Sequence, residues 1–389
     1  MQRLELPEPN SEEKQHSAQL LTLIRQAVEQ AGGWLDFADY MRLALYAPGL
    51  GYYSAGLQKF GGQGDFITAP ELSPLFAQTL AVPVAQSLAR LPQGNIIEFG
   101  AGSGKLAAQM LLRLEQLEHV PEQYFIVELS AELRQRQAQT LQQLAPGLAD
   151  RIHWLETLPE HIDAVVIANE VLDAMPVRRF SIKDGALQML GVTNAESGLQ
   201  LQSRFADADM QKMIEHLQQD IGRPFDEAYS SEFNPSIQPW LAALDEALDR
   251  AAVYLIDYGY PRAEYYLPER VTGTFMGYYR QRAFDDALWY PGLQDMTAFV
   301  DFTAVAEAAV QHGFELAGFT SQGNFLMDCG ITELLDANRD EQMHLLQVQQ
   351  LKTLTQNAEM GERFKVMALG RGTELPDTGF RLRDYSYRL

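Results

Sequence analysis

From residue 95 onward, short apolar runs alternate with stretches of helical period. The runs "NIIEFGAG", "YFIVEL", "RIHWLE", "AVVIAN", "VYLIDYG", "FELAGFT" and "RFKVMALG" have the length and composition of strands buried on both faces. Between the first of them lie "KLAAQMLLRLEQL" and "SAELRQRQAQTLQQL", which read as helices. Strand and helix in alternation predict an α/β architecture, a mainly parallel sheet covered on both faces.

Upstream, "SAQLLTLIRQAVEQAGG" places Leu20, Ile24, Ala27, Val28 and Ala31 at helical spacing, with Gly32 and Gly33 as a stop. The glycine-rich stretch that follows, up to "TAPE", shows no period and reads as a long ordered loop or lid. A second helix is expected from Ser73, with Pro74 in its first turn. Two stretches, 178–250 and the aromatic, charged 260–298, break the alternation and read as insertions suited to a substrate wall. The expected organisation is a helical, loop-rich cap region at 1–94 and a catalytic domain at 95–389 that carries both insertions.

Composition narrows the partners. The chain has 389 residues, 52 acidic against 30 basic, with a formal net charge of −22. Such a field repels nucleic-acid phosphate and anionic membranes and weakly favours a basic partner, and it also serves solubility. The single cysteine, Cys329, excludes an internal disulfide and a multi-cysteine metal cluster. The seven histidines form no HExxH pair, and no Gly-x-Ser-x-Gly elbow occurs, so no metal site and no serine hydrolase is expected. The acidic first residues lack the apolar core of a signal peptide, and no apolar run approaches the ~20 residues needed to span a bilayer. A reducing, aqueous compartment, most simply the cytoplasm, is the expectation, without membrane insertion.

The candidate chemistry begins at "IIEFGAGSGKL". A glycine-rich turn after the first strand of a βαβ unit lets a ligand touch backbone at the next helix's N-terminus. A dinucleotide fingerprint from Gly100 would need glycine where Lys105 stands. A phosphate loop would need glycine at Phe99 and Ser or Thr at Leu106. Either the loop takes another ligand or it is only a tight strand-to-helix turn.

The remaining order, Glu98, Gly100, Gly102 and Gly104, with Ala101 between, resembles motif I of class I S-adenosylmethionine-dependent methyltransferases. The resemblance implies that the glycines face the methionine part of S-adenosyl-L-methionine and that Glu98 helps hold its ammonium group. Glu128, 24 residues after Gly104, stands where a ribose-binding acid is expected. Glu156 faces adenine by the same analogy, or is a surface carboxylate.

Further segments, "FGGQGDFITAPELSPLF", "ANEVLDAMPVRRF", "LIDYGY", "PGLQDMTAFVDF" and "SQGNFLMDCG", resemble the MidA-like family of methyltransferases over roughly residues 35–370. This implies a class I methyltransferase fold, Rossmann-like, with a seven-stranded mostly parallel sheet. It implies a protein substrate, methylated on arginine, and by family analogy a subunit of a respiratory complex.

Carried over by position, the resemblance puts Gly64, Asp65, Thr68, Pro70 and Glu71 at the cofactor pocket, although Thr68 and Glu71 also fit a capping box. It puts Asn169, Glu170 and Asp173 where methyl group and acceptor meet. The same acids would also suit a helix N-terminus. Asp257 is a further candidate pocket acid, and Asp295 and Asp301 are candidate caps. Family histidines are expected where this chain has Gln281, Phe284 and Phe299. Alternatives are another nucleophile or small molecule as acceptor, or a cofactor-binding assembly factor with little turnover. Oligomeric state is left open.

Overall fold

The computed structural model describes residues 6–54, 68–335 and 340–389. Seven strands form the core of the central sheet: β1 (Asn95–Phe99), β2 (Tyr124–Val127), β3 (Ile152–Leu155), β4 (Ile162–Asn169), β5 (Leu248–Tyr260), β6 (Glu315–Ser321) and β7 (Phe364–Arg371). They are the seven runs read from the sequence. The order across the sheet is β6-β7-β5-β4-β1-β2-β3. The five strands from β5 to β3 are parallel, and β7 runs antiparallel to both its neighbours.

Register decides what lies at the sheet's carboxyl edge. Phe99 is level with Val127 and Ala168, and Asn169 with Ile256. The residues just beyond, Gly100, Glu128 and Glu170, therefore leave the sheet at one edge, level with Asp257 where β5 runs on beside β7. In such sheets that edge borders the ligand crevice.

Alternation along each strand feeds two cores. Ile96, Val165 and Ile167 meet the helices Pro74–Leu88 and Lys105–Gln116 on one face. Ile97, Val166 and Ala168 meet Ile237–Ala247 and Phe302–Gln311 on the other. Each fully buried aliphatic side chain contributes about 1.5–3 kcal/mol through its removal from water.

The first helix spans Ser11–Gln30, beginning six residues before the segment read as helical from sequence. Asn10 and Glu13 start it with a reciprocal capping box. Its buried residues Leu20, Ile24 and Val28 pack with Phe37, Tyr40 and Met41 of the helix Phe37–Tyr46 and with Val177, Val192, Phe275 and Met296. The strands at 178–205 and 230–233 form a second, antiparallel sheet that also takes in Leu35–Asp36. A third, three-stranded sheet lies within 276–297. The division at 94/95 is kept as a proposal. Residues 11–46 pack with the two inserted stretches, while Pro74–Leu88 packs on the central sheet. Among the described residues no helix is long and apolar enough to cross a membrane.

Candidate functional site

After β1 the chain takes three glycines in the left-handed region: Gly100 (φ 62°), Gly102 (φ 53°) and Gly104 (φ 84°). A side chain there is strained whatever space is available. Gly100, Ala101 and Gly102 line a cavity of about 290 Å³. Gly104, also assigned to the cofactor from sequence, is not on its wall. A Cβ at Gly104 would lie 3.0 Å from Gln137 Cα, so this glycine lets the loop pack against the helix Ala131–Leu144.

Glu98 faces the same way as Ile96 and is buried. Its carboxylate accepts a hydrogen bond from the Tyr124 hydroxyl at 2.7 Å. Burial pushes its pKa up to about 7; the Tyr124 bond opposes the rise and the Glu128 charge adds to it. Glu128 accepts from the Ser130 amide at 2.9 Å and from Gln137 Nε2 at 3.1 Å. Burial raises its pKa, and those two hydrogen bonds work against the rise. Both glutamates line the cavity. Glu156 does not: it is exposed and meets Arg134 at 3.4 Å, as a surface carboxylate.

Thr68, Pro70 and Glu71 complete one wall. Thr68 precedes the short helix Ala69–Leu72, but its side chain makes no cap, and Ser73 caps the next helix instead. The capping-box alternative fails because Glu71 points elsewhere: it accepts from Lys105 Nζ at 2.7 Å and from the Ser103 hydroxyl. Gly64 and Asp65 lie outside the described residues.

The opposite wall was missed from sequence. Tyr46 and Tyr53 line it, stacked 5.4 Å apart, with Ser54 beside them. The Tyr46 hydroxyl donates to the Ala174 carbonyl at 2.9 Å and that of Tyr53 to Asp295 at 2.7 Å. Tyr46 stands in "LYAPG" and Tyr53 in "GLGYYS", and that stretch carries no clear period and no motif.

At the end of β4, Asn169 and Glu170 line the cavity, while Asp173 lies behind them, buried. Glu170 sits at φ 54°, a conformation costing of order 1–3 kcal/mol outside glycine. Its amide donates to the Ile256 carbonyl at 2.8 Å, and its Oε1 accepts from Asn169 Nδ2 at 3.4 Å. Burial, reinforced by the Asp173 charge, pushes Glu170 up to about 8. Asp173 accepts from Thr297 Oγ1 at 3.0 Å, the same hydroxyl that the Tyr258 hydroxyl meets, and burial again raises its pKa.

Asp257, a candidate pocket acid, is fully buried beneath the loop and not on the wall. Its Oδ2 accepts from the amides of Leu172 (2.9 Å) and Asp173 (3.2 Å), and its Oδ1 from Tyr258 (2.9 Å). It holds the loop that carries the other acids. Asp301 is a cap, accepting from the Ala304 amide at 3.1 Å. Asp295 is not; it lies in the strand Asp295–Thr297.

Among the described residues, Asn169 Oδ1 and Asp173 Oδ1 are buried without a hydrogen-bond partner, and no ion pair involves Glu170, Asp173 or Asp257. Such groups are costly to bury unless something else satisfies them. Gln281, Phe284 and Phe299 are not on the cavity wall. Phe284 packs on Trp289, and Phe299 on Tyr258 and Tyr260.

Comparison with known proteins gives the family. Residues 79–320 match the model of a family described as S-adenosyl-L-methionine-dependent methyltransferases. The chain belongs to this MidA-like methyltransferase family. A crystal structure from Burkholderia thailandensis with S-adenosyl-homocysteine bound is 44% identical and superposes with a TM-score of 0.94 over 99% of this chain and 100% of that one. The mitochondrial protein arginine methyltransferase NDUFAF7 homologue of Drosophila melanogaster is 27% identical over 95% of this chain and 88% of its own length. The NDUFAF7 protein of Mus musculus is 29% identical over 87% of this chain and 81% of its own.

The family methyltransferase's cofactor is S-adenosyl-L-methionine. The residues present fit it. The cavity offers bare backbone at Gly100 and Gly102, carboxylates for an ammonium group and a diol, and an unpartnered Asn169 oxygen.

Proposed function

We propose that this methyltransferase acts on an arginine side chain of a protein. In this reading Gly100, Ala101, Gly102, Glu98 and Glu128 hold the cofactor, together with Thr68, Pro70 and Glu71. Gly104 shapes the loop, and Asp65 belongs to the same set by resemblance. Asn169 and Glu170 receive the acceptor, and Asp173, proposed from sequence for the same task, backs them from beneath the wall. When bound, S-adenosyl-L-methionine supplies an electrophilic methyl group carried on a sulfonium.

The observation that carries the reading is the set of buried acids at the end of β4, with no ion-pair partner among the described residues and with Asn169 Oδ1 and Asp173 Oδ1 unpartnered. A guanidinium stays protonated at neutral pH and presents a planar fork of donors suited to carboxylates. Its arrival beside Glu170 would favour the ionised carboxylate, reversing the upward shift that burial causes. The acceptor nitrogen's electron pair then forms the bond to carbon as the carbon–sulfur bond breaks. Glu170 takes the proton the nitrogen gives up.

The names of the Drosophila and mouse relatives, protein arginine methyltransferases, support the same acceptor class. By family analogy the partner is a respiratory-complex subunit. Those names place the relatives in mitochondria, and the lone cysteine of this chain fits a reducing compartment.

The test is to incubate the protein with deuteromethyl-labelled cofactor and a cell extract, then map the label by mass spectrometry. Label on an arginine guanidinium, lost with Glu170→Gln, is the expected result. Label confined to small molecules or to other side chains would overturn the assignment.

A further inference from the structure

Lys105 is the feature that neither the family assignment nor the acceptor reading uses. It follows the glycine loop as the first residue of the helix Lys105–Gln116 and lies on the cavity wall. Among the described residues it is the one basic side chain on that wall, facing Glu71, Glu98, Glu128 and Glu170. A lysine after a glycine loop suits an anionic phosphate. Here the ligand carries a sulfonium cation. An unpaired ammonium on this wall would repel it.

The wall's acids do not all offset that charge. Burial pushes Glu98 up to about 7 and Glu170 up to about 8, so near neutral pH Glu170 is largely protonated and Glu98 about half. The group in contact with Lys105 is Glu71, whose side chain is only 8% exposed and whose Oε2 lies 2.7 Å from Nζ. Its other oxygen takes the Ser103 hydroxyl within the loop, so the same carboxylate fixes both the charge and the position of the lysine.

We infer that Glu71 is a specificity-determining residue: by neutralising Lys105 it lets the cavity favour the cationic methyl donor over its demethylated, uncharged-sulfur product. The pair thus sets how strongly product competes with donor. This inference rests on the cofactor and not on the acceptor.

Affinities for S-adenosylmethionine and S-adenosylhomocysteine, measured by calorimetry at pH 7.5 on wild type and three variants, test it. Glu71→Gln should lower the donor-to-product affinity ratio by about tenfold, the scale of a unit charge acting across a ligand-sized cavity at an effective dielectric near 20. Lys105→Gln should raise the ratio, and the double variant should return it close to wild type. High salt should shrink the Glu71→Gln effect to the extent that the pair is solvent-accessible.

Equal weakening of both ligands by Glu71→Gln would mean that Glu71 only shapes the loop, and would overturn the proposal. So would a shifted ratio that the double variant fails to restore. Should Glu71→Gln lose all binding, Lys105→Gln still decides: an unchanged ratio there contradicts the inference, and a raised one supports it.

Discussion

The two ends of the cavity are built differently. At the glycine-loop end each acid already has partners inside the chain: Glu98 has Tyr124, and Glu128 has Ser130 and Gln137. At the β4 end Glu170 sits in a left-handed conformation, two buried oxygens lack partners, and three acids crowd together. Polar groups satisfied in advance make a rigid, finished seat, whereas unsatisfied ones hold free energy that an incoming cation can release. In the proposed reading the first end takes a ligand of fixed shape and the second an acceptor whose charge completes the site.

The strongest way to break this contrast is Glu170→Gln. It should leave cofactor affinity within about twofold and lower methyl transfer by about a thousandfold, as loss of a proton acceptor does. Steady-state transfer with calorimetry on the same sample separates the two effects. In the wild type, acceptor kcat/KM should rise with pH, reach half its maximum near pH 8 and level off above it, because the ionised carboxylate is the competent form.

Gly102→Val addresses the other end. A β-branched residue at φ 53° strains the loop and fills the backbone's approach to the ligand, so cofactor affinity should fall about a hundredfold or more in a protein that remains folded. Unchanged affinity in a folded variant would remove the loop from the cofactor site. Asp257→Asn has a smaller reach. Its amide cannot accept all three backbone donors, so the acid loop loosens. Transfer should fall about tenfold with cofactor affinity unaltered.

The smallest effect is on stability. Glu170 titrates at about 8 folded, against an ordinary value near 4.5, so the folded state holds its proton more tightly. Its favourable contribution is present below pH 4.5 and is lost as pH rises to 8. Glu170→Gln should therefore raise Tm by about 2–4 °C at pH 8.5 and by less at pH 5, readable by calorimetric melting.

The same contrast governs what could be read from the chain. The seven central strands are legible because burial on both faces demands unbroken apolar runs such as Ala164–Ala168. The second sheet is not: Arg178–Lys183 and Gly198–Phe205 are partly exposed and mix polar with apolar residues. Glu98 and Glu128 follow from strand ends and loop spacing. Tyr46 and Tyr53 reach the cavity only through the packing of the first two helices, a long-range outcome that no local pattern encodes. The role of Asp257 escaped for a related reason: its partners are backbone amides 84 and 85 residues away.

The central claim is that a cation completes the β4 end by ionising Glu170. The most direct measurement titrates N-acetyl-argininamide, at millimolar concentration, into the protein saturated with S-adenosylhomocysteine. Calorimetry at pH 7 in two buffers of different ionisation enthalpy then counts the protons exchanged. Release of about 0.9 proton per bound guanidinium, absent in Glu170→Gln, is the predicted result for a group titrating near 8. Binding without proton release, or equal release by the variant, would contradict the account.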